Sequence, residues 1–192
     1  YGHGRDKTSI AWKITIYLGL GSLVLLGGLI ALYTNLVGTD VATFNIKELT
    51  EIAAANGINE SSQKWIFLAV FIGFGILVSL FPFHSWAAPA YAAAPTSVAM
   101  LHAGVLKKFG LYGILRIAMP MLPEGFKAWE GLILVLILGN IIYVGLVTIS
   151  QSRLDKMLGN SSVMHMGYAF LGIACFNQIG WSGAVLMMFG HG

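Results

Sequence analysis

Charge is what this sequence has least of. Asp, Glu, Lys and Arg make up 10% of its 192 residues, while 57% are hydrophobic. A soluble domain carries about a quarter of its residues charged, so this composition excludes a wholly water-facing surface. Cysteine is scarcer still. The single Cys175 excludes an internal disulfide and a cysteine-based zinc cluster, and its place in an apolar run reads as a small buried hydrophobe. The net charge of +3 gathers into no basic stripe, which excludes a nucleic-acid partner. There is no glycine-rich phosphate loop between a strand and a helix, no nucleophile elbow and no haem-attachment motif. The sequence opens on Tyr1 and stops at Gly192 inside an apolar run, as a piece of a longer protein would.

What is present is apolar length. Residues 14–33, 65–86, 95–119, 130–150 and 158–177 form stretches long enough to cross ~30 Å of hydrocarbon, which takes about 20 helical residues. A sixth begins at 181 and runs to 192. The apolarity is continuous rather than alternating, which excludes half-buried and outer-membrane strands. The expected fold is therefore all-α: a polytopic transmembrane helical bundle embedded in a lipid bilayer. The 24 glycines suit close packing of such helices, and Gly19, Gly21, Gly27 and Gly28 of the first span are read that way.

The connections carry the remaining signals. Loop Lys and Arg give Arg5, Lys7, Lys13, Arg153 and Lys156 on one side against Lys47, Lys64 and Lys127 on the other, a bias of five to three. That bias puts the N-terminus in the cytoplasm and the 34–64 connection outside. Within that connection, Asn45 and Glu48 resemble a capping box and Asn56-Gly57 a stop, so a short surface helix is expected there. The second span holds Pro82, Pro89 and Pro95 with His84, Ser85 and Trp86 between them. Two readings stay open. Either the helix breaks and its irregular backbone lines a transport cavity, or the chain leaves the membrane there with Trp86 at the interface.

Apart from Glu130 at the very edge of the fourth, Asp and Glu are absent from the apolar stretches. The charges inside them are Lys107, Lys108 and Arg116, all on the third span; Arg116 lies near its end and reads as a snorkelling anchor. A lysine at mid-membrane costs roughly 2.5–3.5 kcal/mol on insertion scales, so it is a functional candidate by default. Lys108 lies about 18 Å along the helix from Thr96, near the bilayer centre. Adjacent residues point about 100° apart, so one buried functional lysine and one auxiliary lysine are expected, with Lys108 taken as the principal and Lys107 as the secondary. Lysine gives up a proton on desolvation, whereas arginine does not. His84, His102, His165 and His191 lie in or beside the spans, and an imidazole can both take and give a proton. The spacing fits no metal site, and no catalytic residue is assigned.

These residues fall into runs with a specific likeness. Phe81-Pro-Phe-His-Ser-Trp86, Ala94-Pro-Thr96, Ala103-Gly-Val-Leu-Lys-Lys108 and Gly110-Leu-Tyr-Gly-Ile-Leu-Arg116 resemble the antiporter-like membrane subunits of respiratory complex I, of the subunit M type. Asn160-Ser-Ser-Val-Met-His-Met-Gly167 and Gly183-Ala-Val-Leu-Met-Met-Phe-Gly-His-Gly192 continue the likeness, and Gly2-His-Gly-Arg-Asp6 with Lys13, Tyr17 and Gly21-Ser22 opens it. The resemblance implies helices six to ten and the start of eleven of a fourteen-helix subunit with one discontinuous helix. It implies proton translocation through midplane groups, driven by NADH:quinone chemistry on other subunits of the complex. By matching, Lys108 is the central lysine of helix eight, His165 the histidine of helix ten, His191 that of helix eleven, and His84 that of the Pro-x-His-x-Trp stretch. The implied partners are neighbouring antiporter-like subunits. No cofactor is implied on this chain, and the implied location is the bacterial inner membrane rather than the mitochondrial one. Two positions depart from the pattern. Leu77, Val78 and Ser79 stand where the family carries a lysine on its broken helix, and Arg153-Leu-Asp-Lys156 replaces its Asp-Leu-Lys-Arg run. A subunit of the multi-subunit sodium/proton antiporters, or a structural subunit with a decayed channel, are the alternative readings.

Overall fold

The computed structural model describes residues 6–37 and 43–192. Arg5 and Asp40, two of the loop charges, and the run from Gly2 to Arg5 lie outside the described residues. All regular structure among the described residues is helical: α1 (Lys7–Leu36), α2 (Ile46–Asn56), α3 (Glu60–Val78), α4 (Ala87–Ala93), α5 (Thr96–Met121), α6 (Pro123–Ile149), α7 (Leu154–Ala174) and α8 (Gln178–His191). Among them α1, α3, α5 and α6 are long and apolar enough to cross a membrane. The 21 residues of α7 match that length, but Asp155, Lys156, Asn160, Ser161, Ser162 and His165 make it more polar, and it is packed between neighbours instead.

The helix ends follow local chemistry. Asn45 caps α2 by accepting from the Lys47 amide at 3.0 Å. Glu48 completes the cap differently from an ordinary capping box: it accepts from the Asn45 side-chain amide at 2.9 Å and from the Thr43 hydroxyl, while the Asn45 backbone N–H turns to Thr43 Oγ1. Gly57, at φ 66°, stops the helix in a conformation that favours glycine. Asn59 caps α3 through the Ser61 amide. Pro123 at the first turn of α6 needs no amide partner, so that helix begins seven residues before the apolar stretch at 130.

The second span is the discontinuous one. Helix α3 stops at Val78, Ser79 adopts a left-handed φ of 71°, and the Leu80 N–H returns to the Gly75 carbonyl at 2.7 Å. Helix resumes only at Ala87. Of the three prolines, Pro82 alone lies in the break; Pro89 sits within α4 and Pro95 precedes α5. The interfacial exit is overturned, because Trp86 is 1% exposed and donates Nε1–H to the Ile76 carbonyl at 3.2 Å. A carbonyl at the end of α3 is thereby satisfied inside the protein.

Cross-links between helices set the two ends of the bundle. Gln63 of α3 accepts from the Glu124 amide of α6, and Trp129 donates to the Lys64 carbonyl. Phe126 of α6 stacks on Phe176, just beyond α7. One end therefore holds α2 and the 122–123 and 175–177 connections. The opposite end holds the start of α1, α4 and the 150–153 connection, with Lys13 reaching Ser85. The apolar core lies between α1, α3, α5, α6 and α7, around Phe67, Phe71, Ile114, Met166 and Phe170. Cys175 is exposed, against the expectation of burial, because it follows the last packed turn of α7. The glycines of the first span also divide: Gly21 and Gly28 lie against Ile76 and Val70, but Gly19 and Gly27 face open space.

Candidate functional site

The break exposes backbone amides and carbonyls at mid-bundle, and side chains from α1 and α6 meet it. Lys13 of α1 donates to the Ser85 carbonyl at 3.1 Å, and the Tyr17 hydroxyl lies 3.2 Å from Ser85 Oγ. Asn140 of α6, fully buried, accepts from the Phe81 amide at 2.7 Å and donates to the Val163 carbonyl of α7 at 3.3 Å. One widened π-type turn, Gly139–Tyr143, carries both Asn140 and Tyr143. Tyr143 meets Phe81 and His84 edge-on, with ring centroids 5.5 and 5.8 Å apart. Asn140 carries no charge, so the charges and imidazoles of the spans do not reveal it. A lone Asn in the run Ile133–Val147 was the available signal.

Helix α5 carries the lysines on a second widened turn, His102–Leu106. There the Lys107 amide reaches back to the His102 carbonyl, five residues away. Such turns recur at functional sites. The Ala103 carbonyl accepts from Lys108 Nζ at 2.5 Å. Lys108 Nζ also lies 3.3 Å from His191 Nδ1 of α8. An ammonium can only donate, so His191 Nδ1 is the acceptor and its ring proton sits on Nε2. The His191 ring is 5.5 Å from the ring of His165 on α7. His165 Nδ1 is 2.7 Å from the Ser161 carbonyl, which can only accept, so His165 carries its proton on Nδ1 and leaves Nε2 free to take one. Lys108, His191 and His165 thus form a row of groups able to give and take protons across three helices, half-buried at the middle of α5.

The other predicted residues gather on the opposite side of α5. His102 Nδ1 lies 3.2 Å from the Tyr91 hydroxyl of α4, and its ring stands 5.4 Å from Trp86. Lys107, expected to be the auxiliary lysine, is the one fully buried, with Nζ 5.3 Å from the Tyr91 ring centre. The extra residue in the preceding turn rotates α5, so Lys107 faces α4 and Lys108 faces α8. His84 lies in the break against Phe81 and Tyr143. Arg116 is exposed near the end of α5. Tyr91, which nothing in the sequence marks out, joins the site because its ring and hydroxyl serve two predicted residues.

The sequence model of the NADH:quinone oxidoreductase/Mrp antiporter transmembrane family matches residues 1–192. NAD(P)H-quinone oxidoreductase chain 4 1 of Picosynechococcus is 36% identical over 98% of this chain and 34% of its own length. NADH-quinone oxidoreductase subunit M of Rickettsia prowazekii is 35% identical over 98% of this chain and 37% of its own length. This chain therefore spans about a third of the curated relatives it matches. A chain of respiratory complex I from Thermus thermophilus superposes with a TM-score of 0.86 at 27% identity, over 98% of this chain and 39% of that one. A chain of an archaeal membrane-bound sulfane sulfur reductase gives 0.84 at 25% identity, over 96% and 37%. With residues 1–192 matched by that family's model, the chain belongs to the NADH:quinone oxidoreductase/Mrp antiporter transmembrane family.

Proposed function

We propose that the chain is the middle part of a proton-translocating membrane-arm subunit of an NADH:quinone oxidoreductase. The observation that carries this reading is the row Lys108–His191–His165. Three groups able to exchange protons, from α5, α8 and α7, meet beside the middle of α5 without a carboxylate in the row. A proton held by Lys108 passes to His191 Nδ1, which releases its own from Nε2 toward His165. The relatives' names, NADH-quinone oxidoreductase subunit M and chain 4, support the same reading. In it the chain carries no redox group, electrons flow on other subunits, and neighbouring antiporter-like subunits flank it in a bacterial inner membrane. Helix α7 is the fifth crossing, its polar face turned to α4, α6 and α8 instead of lipid.

Lys108→Met removes the titrating group and keeps most of the volume. In the full-length subunit, assembled in sealed membrane vesicles, assembly and NADH oxidation should persist while protons moved per electron fall. A parental proton-to-electron ratio in that variant would overturn the reading. Sodium-dependent transport without any response to NADH would instead favour a sodium/proton antiporter.

A further inference from the structure

Lys107 is the one fully buried cation among the described residues, and its Nζ has no hydrogen-bond partner there. An ammonium has three donors and no acceptor, so it is among the least tolerable groups to bury dry. Packing gives no reason for it, because an apolar side chain of similar length would fill the same space without that cost. His84 Nδ1, in the break, is also buried and without a partner. These two orphaned nitrogens, one on α5 and one in the discontinuous span, are each a group that water or another mobile proton carrier would satisfy. The surroundings suit a proton held only part of the time. The Tyr91 ring lies under Nζ at 5.3 Å, which favours the ammonium, while no anion fixes it in that form. Tyr91 in turn holds His102 through its hydroxyl at 3.2 Å. Besides Tyr91, the titratable groups close enough to act on it electrostatically are His84, His102, Lys108 and His191.

We propose that Lys107, with Tyr91 and His102, is a second proton-holding site, set back to back on α5 with the Lys108 row and reached by internal water. The neutral amine takes a proton from water, becomes an ammonium over the Tyr91 ring, and returns that proton to water; no other bond changes. Charging Lys107 opposes charge on the neighbouring Lys108, so the two sites fill in alternation. A charge on one side of α5 is thereby sensed by the row on the other. The inference rests on the reading of the subunit as a proton translocator.

The test compares Lys107→Met and Lys108→Met in the full-length subunit, assembled in sealed vesicles. Lys107→Met should keep NADH oxidation and a thermal midpoint at or above parental, with fewer protons moved per electron. A parental ratio for Lys107→Met beside a lowered one for Lys108→Met overturns the second site and leaves the subunit reading intact. Parental ratios for both overturn both. A separate readout guards against a variant that fails to assemble. Lys107→Cys should react with a water-borne methanethiosulfonate cation, and protection from it would show a dry pocket and overturn the proposal.

Discussion

At the scale of single residues, Asn140 does the most with the fewest atoms. Its carboxamide holds the Phe81 amide of the break and reaches the Val163 carbonyl, two residues before His165. It thus ties the segment carrying His84 to the helix carrying His165. Leucine there would match the volume but leave the Phe81 N–H without a partner in the interior, at a cost of ~1–3 kcal/mol. Asn140→Leu should lower the thermal unfolding midpoint of the full-length protein in detergent. Thr148→Val should lower it less, because the Thr148 hydroxyl only backs onto the Val144 carbonyl of its own helix. Equal midpoints for parent and Asn140→Leu would mean that water serves the break as well. Lys107, Lys108 and the four histidines were legible from the sequence because charge and imidazole are conspicuous in apolar runs. Which lysine lies deeper was not. That depends on one extra residue in the turn His102–Leu106, and nothing in the run His-Ala-Gly-Val-Leu marks where it falls.

At the scale of elements, the spans were legible as apolar length, but their ends were set by polar residues at the margins. Asn59 and Pro123 extended α3 and α6 toward their N-termini, and Asp6 precedes an α1 that starts seven residues before the apolar stretch. The break was foreshadowed by three prolines, yet it begins at Ser79, before any of them. Its position is fixed by the left-handed turn and by the partners awaiting the freed groups, Trp86 and Asn140. Glycine in α1 shows the same limit. Four glycines looked alike in sequence, and only contact with α3 tells them apart. A Cβ on Gly28 would lie 2.9 Å from Val70 Cγ2 and 3.0 Å from its backbone nitrogen, whereas one on Gly27 meets nothing within 4 Å. Gly28→Ala should therefore separate α1 from α3, at the ~1–3 kcal/mol usual for overpacking. Gly27→Ala should be neutral or slightly stabilising, since alanine holds a helix better. Thermal midpoints of the two single variants decide the matter. If Gly28→Ala is as benign as Gly27→Ala, the α1–α3 contact yields readily enough to admit a methyl group.

At the scale of the whole molecule, the bundle has two unlike ends and a wide apolar girth. Ile16, Leu20, Leu23 and Ile30 of α1 are exposed, as are Ile179 and Phe189 of α8, which suits faces turned to lipid or to neighbouring helices. The end holding α2 collects Glu48, Glu51, Glu60, Glu124 and Glu130 with Lys47, Lys64 and Lys127. Lys127 pairs with Glu124 at 2.8 Å on that surface, a contact worth little in water. The opposite end has Lys7, Lys13, Arg153 and Lys156 among the described residues, a narrower margin of four to three over the α2 end. Arg153 is paired with Asp155, whose carboxyl it holds below the usual range. Acidic residues weigh little in setting orientation, so that pairing leaves the lysine and arginine bias intact. In the orientation expected from that bias, the end holding α2 would lie outside the cytoplasm, and Lys13, Ser85 and α4 would lie in the cytoplasmic half. On the proposed function, protons taken up on that side would meet the broken span before the Lys108 row. A cysteine placed at exposed Glu51, in a background with Cys175 and any other cysteines replaced, reports the orientation. It should react with a membrane-impermeant maleimide added outside intact cells. Reaction only in inverted vesicles would reverse the bundle, and the direction of every transfer argued for it would reverse as well.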